Sequence, residues 1–245
     1  TVGAMYTTDD GKTRIYITLQ EGRTSPRLCI YPKGTVTVDW GDGTTPDTLT
    51  GTNISYARWT PVHEYSAPGD YVISLTIDGT AALRGKYSDS LSILNYTNAK
   101  DDRNSIYHNA ITKVQVGDNV TALDDGVFYT CICLKDITIP SSVTSIGQRA
   151  FSACYSLTGV VVPSNVTSVS VGAISSCTAL SNVSLPAGIT DIGDSAFGYN
   201  RSLRTIRLPL SVTSIGSNAF DTCISLQSIR LPAGVTSIGE YAFNS

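Results

Sequence analysis

The chain has 245 residues, of which 41% are hydrophobic, and its formal net charge is −3. This length and apolar content suffice for a packed core, and the balanced charge lacks the basic excess needed to follow a nucleic acid backbone. No apolar stretch reaches the roughly 18 to 20 residues of a membrane helix, and the Thr1-Val2-Gly3 start carries no signal-peptide pattern. We therefore expect a globular, processed or trimmed chain with no nucleic acid partner and no membrane-spanning segment.

Residues 1–80 have the pattern of an all-β domain. Runs rich in β-branched and aromatic residues lie at 13–19, 28–31, 35–40 and 71–77, separated by clusters of Gly, Pro, Asp and Thr at sandwich-like intervals. The segments VDWGDGT (38–44) and VHEYSAPGDYVI (62–73) resemble the signature of the PKD-type, immunoglobulin-like sandwich. The resemblance implies a β-sandwich that acts as a spacer or mediates contacts on extracellular proteins.

The first of these segments predicts a tight turn. Gly41-Asp42-Gly43 would place the Asp42 carboxylate against backbone N–H groups, with Trp40 in the core between the sheets. We expect His63 and Tyr65 to form internal hydrogen bonds. The competing interpretation is a calcium site, although the spacing fits no EF-hand loop. Its ligands would be Asp39, Asp42 and Asp47.

Residues 81–110 connect this domain to a repeat array. They contain one alternating run, at 91–94, and then a polar stretch around 101–103. Because a solenoid needs its first coil covered, we interpret this segment as the joint and the N-terminal cap of the array, not as a free linker.

Residues 111–245 repeat every 23 residues. The first positions of five copies are Leu134, Leu157, Leu180, Leu203 and Leu226, and Ile111 lies one period upstream. Apolar residues occupy positions 1, 4, 6, 10, 13, 17 and 18 of each copy, which fits neither one long helix nor a hairpin. We predict one short strand per copy at positions 4–6, ended by a Pro at position 7 in five copies.

Two further positions predict how each copy folds back. Gly at position 14 of four copies should adopt a backbone conformation that other residues resist, so that position 18 can point inward. The position-18 residues Phe151, Phe197, Phe220 and Phe243 should then be buried in one line.

The repeat consensus, L-x-x-[IV]-x-[LIV]-P-x-x-[VI]-T-x-[IV]-G-x-x-A-F-x-x-C, resembles the BspA-type leucine-rich repeat of bacterial surface proteins. The resemblance covers residues 111–245. It implies a right-handed solenoid of six coils with a parallel sheet along one side, on a secreted or cell-surface protein.

Position 21 is Cys in four copies, at Cys131, Cys154, Cys177 and Cys223, and Asn200 takes the same place in another. Cys and Asn can both donate to backbone carbonyls in a buried turn, so we predict a structural ladder of reduced thiols and an amide. Disulfides between coils and a zinc site are the alternatives.

No enzymatic motif is present. The chain lacks HExxH, GxSxG, P-loop and GxGxxG patterns. Cys29, His63 and His108 have no recognisable orienting carboxylate or oxyanion hole, so we expect neither catalysis nor a cofactor.

Strand alternation predicts that positions 3 and 5 of each copy face outward and form a polar binding surface. A basic cluster at its C-terminal end is the strongest candidate, because arginine is enriched at binding hot spots; the competing interpretation is a solvated edge. The candidate binding residues are Arg204, Arg207, Arg230, Asp136, Thr138, Asn182 and Ser184. The predicted function is a non-enzymatic adhesion module for a protein or glycan partner. The alternatives are a carbohydrate-binding accessory of a glycan-uptake or degrading system, and a structural spacer.

Overall fold

The computed structural model describes residues 10–21, 25–28, 30–51, 63–83, 94–96 and 110–244. These residues form β-strands joined by turns and contain no helix, which confirms the mainly-β class predicted from the sequence. The strands are β1 (Thr13–Leu19), β2 (Pro26–Leu28), β3 (Ile30–Asp39), β4 (Asp47–Gly51), β5 (Gly69–Leu83), β6 (Leu94–Tyr96), β7 (Ile111–Gln115), β8 (Val120–Leu123), β9 (Asp136–Thr138), β10 (Ser145–Ile146), β11 (Gly159–Val161), β12 (Ser168–Val169), β13 (Asn182–Ser184), β14 (Asp191–Ile192), β15 (Thr205–Arg207), β16 (Ser214–Ile215), β17 (Ser228–Arg230) and β18 (Ser237–Ile238).

From residue 111 onward the chain is a solenoid of 23-residue coils. The first strand of coils 2 to 6 covers positions 3–5, one residue earlier than predicted, and pairs in parallel register with the strand one coil away. Its middle residue points inward and is buried in β9, β11, β13 and β15, while the residues on either side face outward. The solenoid predicted from the 23-residue period is therefore confirmed.

Each coil also has a second strand, so the prediction of one strand per coil was wrong. The strands β12, β14, β16 and β18, at positions 12–13, form a second parallel sheet. The threonine at position 11 supports it through the backbone: Thr213 N donates to Thr190 O at 2.8 Å, and Thr236 N donates to Thr213 O at 2.9 Å. A strand of two residues is too short to show alternation in the sequence.

The position-14 glycines are required for a different reason from the one predicted. None of them has a positive φ. A Cβ on Gly216 would instead lie 2.5 Å from the backbone nitrogen of Asp194, and one on Gly239 would lie 2.3 Å from that of Ser217. The glycine is needed because the backbones of successive coils approach closely here. The left-handed conformation occurs at positions 16 and 20, in non-glycine residues such as Asn218 (φ 56°).

The position-18 side chains form a stack through the solenoid core. Phe197 and Phe220 are nearly parallel with ring centroids 5.4 Å apart, and Phe128 and Phe151 repeat this arrangement in coils 1 and 2. All four rings are fully buried or nearly so, whereas Phe243 is 36% exposed. The prediction that Phe243 is buried was therefore wrong, because its ring is covered by Phe220 on one side only.

The N-terminal strands continue into the solenoid. β1 pairs antiparallel with β5 and with β7 of coil 1, and β5 pairs parallel with β8 of the same coil. Thr13 is completely buried at this junction, where its Oγ1 accepts a hydrogen bond of 2.9 Å from Gly117 N. β1 and β5 thus cover the first coil, and β3 and β4 extend the same sheet.

The predicted division of the N-terminal half remains untested. β5 runs without a break through residue 80, and most of the segment 81–110 lies outside the described residues. The PKD-like sandwich (1–80) and the joint and cap (81–110) therefore stay predictions.

Candidate binding surface

The outward residues at positions 3 and 5 of the six coils lie along the first-strand sheet, and we call them the sheet face. In coils 2 and 4 to 6 both are exposed, as their burial patterns show. Apart from Val161, which is 66% exposed, they are polar or glycine. They are Lys113, Gln115, Asp136, Thr138, Gly159, Val161, Asn182, Ser184, Thr205, Arg207, Ser228 and Arg230.

The predicted basic cluster is at the C-terminal end of the sheet face. Arg207 and Arg230 are register partners on the paired strands β15 and β17. Adjacent strands lie about 4.8 Å apart, so the two cations project side by side. Arg204 is exposed immediately before β15. Among the described residues, no carboxylate forms an ion pair with any of the three.

A groove opens beside this cluster. It has a volume of about 810 Å³ and includes both Arg207 and Arg230 in its lining. Leu210, in the same lining, is 88% exposed and was not identified from the sequence. The signal was present, because Leu210 stands at position 8. The other copies have small or polar residues there: Asp118, Ser141, Ser164, Ala187 and Ala233.

The remaining candidate residues share the sheet face but not the groove. Asn182 and Ser184 flank the buried centre of β13, which lies next to β15. Asp136 and Thr138 lie on β9, three strands from β15, which corresponds to about 14 Å. Asp136 Oδ2 is 3.5 Å from Lys113 Nζ, so its charge is matched within the face.

The predicted turn at 41–43 adopts the expected hydrogen bonds. Asp42 Oδ1 accepts from Thr44 N at 3.1 Å and from Thr44 Oγ1 at 2.7 Å, and Asp42 Oδ2 lies 2.7 Å from His63 Nε2. Burial raises the pKa of Asp42, but the hydrogen bonds from Thr44 and His63 outweigh it and lower the pKa to about 2. Trp40 is buried and stacks on the His63 ring at 4.7 Å, and Tyr65 donates to Trp40 O at 2.8 Å.

The alternative calcium ligands all have protein partners. Asp39 Oδ1 accepts from Gly41 N at 2.9 Å, and Asp47 Oδ2 accepts from Trp40 Nε1 at 2.8 Å, while Asp42 is held as described above. No group of three or more His, Cys, Asp or Glu within the described ranges is arranged to hold a metal ion. Of the other residues considered for chemistry, Cys29 and His108 lie outside the described residues.

The predicted ladder is present at Cys154, Cys177, Cys223 and Asn200. The Sγ atoms of Cys154, Cys177 and Cys223 each lie 3.1 Å from the carbonyl oxygen of the position-18 residue one coil earlier. Asn200 does the same through Nδ2, which donates to Ile174 O at 2.7 Å. All four side chains are buried, and the described cysteines are free thiols. Burial raises the pKa of the Cys223 thiol to about 11. Burial also raises the pKa of Cys154 well above its ordinary value, and the neighbouring Cys177 raises it further.

Stacked 23-residue coils with a parallel strand on each side and a buried Leu at position 1 define a leucine-rich-repeat solenoid. The family model of the BspA type leucine rich repeat region matches residues 102–223 and 191–245, in six copies. The chain therefore belongs to the BspA-type leucine-rich-repeat family. No curated protein matches it. No helix of the described part of the chain has the length and apolarity to cross a membrane.

Three solved structures illustrate the similarity. The T. pallidum leucine-rich repeat protein is 31% identical over 52% of this chain and 60% of its own, with a TM-score of 0.50. A leucine-rich repeat protein from Bacteroides ovatus ATCC 8483 is 26% identical over 53% of this chain and 39% of its own, with a TM-score of 0.44. A leucine rich cell surface protein from Faecalibacterium prausnitzii A2-165 is 23% identical over 56% and 57%, with a TM-score of 0.33. This chain thus spans 60% or less of each of these proteins.

Proposed function

We propose that this protein is a non-enzymatic, secreted or cell-surface binding module that presents its sheet face to a macromolecular partner. The observation that carries the proposal is the sheet face itself. Its side chains project from parallel strands in register, each anchored by a buried residue such as Ile137, Val183 or Ile206. A surface held in this way loses little conformational entropy on binding, which favours recognition of a large, fixed partner.

The composition of the face favours a protein partner over a neutral glycan. Sugar sites rely on exposed aromatic side chains beside polar groups, and the sheet face has no aromatic residue at any of its twelve positions, all of which lie in the described range 110–244. Its content of small polar residues and arginine instead suits hydrogen bonds and ion pairs with a protein. Belonging to the BspA-type family supports the extracellular setting.

The experiment masks one surface at a time with a glycan. Asn182-Val183-Ser184 is an N-glycosylation acceptor on the sheet face, and Asn165-Val166-Thr167 is another, exposed in the turn that follows the first strand of coil 3. The full chain is produced in a eukaryotic secretory host in two forms that retain only the acceptor at Asn182 or only that at Asn165. Each form is tested against immobilised extracellular-matrix and serum proteins and against a glycan array.

We expect the unglycosylated chain and the Asn165 form to bind the same protein with similar affinity, and the Asn182 form to lose that binding. Equal binding by all three forms would move the interface away from the sheet face. Binding of glycans alone would support the carbohydrate-accessory role, and no binding by any form would leave the spacer role.

A further inference from the structure

The two ends of the sheet face differ in whether a nearby carboxylate compensates their positive charges. In coils 1 and 2, Lys113 Nζ lies 3.5 Å from Asp136 Oδ2, so the cation is compensated by its strand neighbour. In coils 5 and 6, Arg207 and Arg230 lie directly opposite one another, and no described carboxylate compensates either of them. Like charges opposite one another on paired strands destabilise a sheet. An external anion placed between the two guanidinium groups would remove this repulsion.

Much of the groove lining around the arginine pair is apolar. Leu208, Pro209, Leu210 and Pro232 line the groove together with the arginines. Leu208 and Pro232 are buried, so they form a fixed floor, whereas Leu210 projects into solvent with 88% of its surface exposed. A ligand that seats an apolar side chain against Leu210 would remove apolar area from water while its charged groups reach the arginines.

We infer that the groove formed by Arg207, Arg230 and Leu210 recognises an acidic protein segment in which an apolar side chain is flanked by carboxylates. This inference rests on the proposed function and names the partner's chemistry. Carboxylates fit the planar guanidinium groups, which bind them through paired N–H donors. The apolar flank distinguishes the ligand from an acidic polysaccharide, which would leave Leu210 exposed and which finds no aromatic side chain in the groove lining.

The probe is the peptide acetyl-Gly-Glu-Leu-Glu-Gly-amide, titrated into the 15N-labelled full chain while the arginine Nε–Hε resonances are followed by NMR. Two companion peptides replace both Glu by Gln or the Leu by Ser. We expect the Arg207 and Arg230 resonances to shift and saturate with the first peptide. The Kd should rise about tenfold with the Gln peptide and about fivefold with the Ser peptide.

Matched variants distinguish binding at this groove from non-specific attraction between the acidic peptide and positive charges elsewhere on the protein. Arg207→Gln with Arg230→Gln should raise the Kd about tenfold, and Leu210→Ser about fivefold. Lys135→Gln with Arg201→Gln removes the same number of positive charges at exposed positions outside the sheet face and the groove, and should leave the Kd within about twofold. Unchanged melting temperatures would show that the variants remain folded.

Several results would overturn the inference. Equal weakening by the Lys135→Gln and Arg201→Gln control would show non-specific charge attraction. Absence of a saturable shift would show that the groove has no affinity for such a segment. Binding of heparin or oligogalacturonate, but not of the peptide, would assign the arginines to an acidic glycan. If the peptide fails while a glycan at Asn182 still blocks a protein partner, the proposed function stands and only this inference is lost.

Discussion

The phenylalanine stack allows the same substitution to be tested at one repeat position in two environments. Phe197 is completely buried and packs against Phe220, whereas Phe243 is 36% exposed and contacts the stack on one side only. Truncating a fully buried phenylalanine costs about 3 to 5 kcal/mol, because the favourable transfer free energy of the ring is lost and the cavity left behind adds a further penalty. Phe197→Ala should fall in this range. Phe243→Ala should cost about 1 to 2 kcal/mol, because a third of the side chain is already in water and no closed cavity forms.

The measurement is urea unfolding of the full chain followed by far-UV circular dichroism, with the slope of the transition compared between variants. In a solenoid each coil contacts only its neighbours, so a loss at Phe197 removes packing from the interior of the stack, while a loss at Phe243 removes its contact with Phe220. A decrease below about 1 kcal/mol for Phe197→Ala, or equal decreases for both variants, would refute the stacked-core description.

Three further predictions concern other parts of the fold. Gly216→Ala should destabilise the protein by about 1 to 3 kcal/mol because its Cβ would lie 2.5 Å from the backbone nitrogen of Asp194, whereas Gly188→Ala, with its nearest atom at 3.9 Å, should be nearly neutral in the same urea assay. The pKa of the Cys223 thiol is raised to about 11, so the folded state favours the protonated thiol, and the stability of the protein should fall as the pH rises from about 9 to about 11. Cys223→Asn should reduce this loss of stability at alkaline pH, as measured by thermal unfolding at a series of pH values. The pKa of Asp42 is lowered to about 2, so its contribution of up to about 2 kcal/mol is present above about pH 4 and lost as the pH falls to 2. Asp42→Asn should therefore destabilise the chain at pH 7 but not at pH 2.

The glycines at position 14 were correctly predicted to be required, but for the wrong physical reason. Their recurrence indicated that a side chain is not tolerated there, and the structure agrees. The reason is contact with the preceding coil, not an unusual φ, and contact between coils cannot be read from one copy of a repeat. Conversely, the left-handed residues at positions 16 and 20, such as Asn218 and Thr222, gave no consistent sequence signal because their identities vary from coil to coil.

The candidate site was predictable in the same partial way. Alternation along a strand placed Arg207 and Arg230 on the outer side, and a shift of one full period placed them opposite each other. Leu210 differs from the small or polar residues at position 8 of the other copies, but it was missed because a single exposed leucine is common in proteins and does not by itself mark a site. Only the folded coil shows that it lines the same groove as the arginines.

The sequence by itself determined the features that each coil repeats: the period, the buried Leu and Phe positions, the polar outer strand positions and the thiol ladder. These features follow from the spacing of residues within one copy, and their recurrence in six copies makes the pattern unambiguous. The tertiary structure alone decided how the array begins and where its surface becomes concave. Residues near 15 and 82 pair with coil 1 across about 40 to 100 residues of chain, as in the register partners Ile15 and Val114 or Leu83 and Leu123. Such a junction occurs once and has no period, so its partners are fixed only when the strand edges of both parts meet in space.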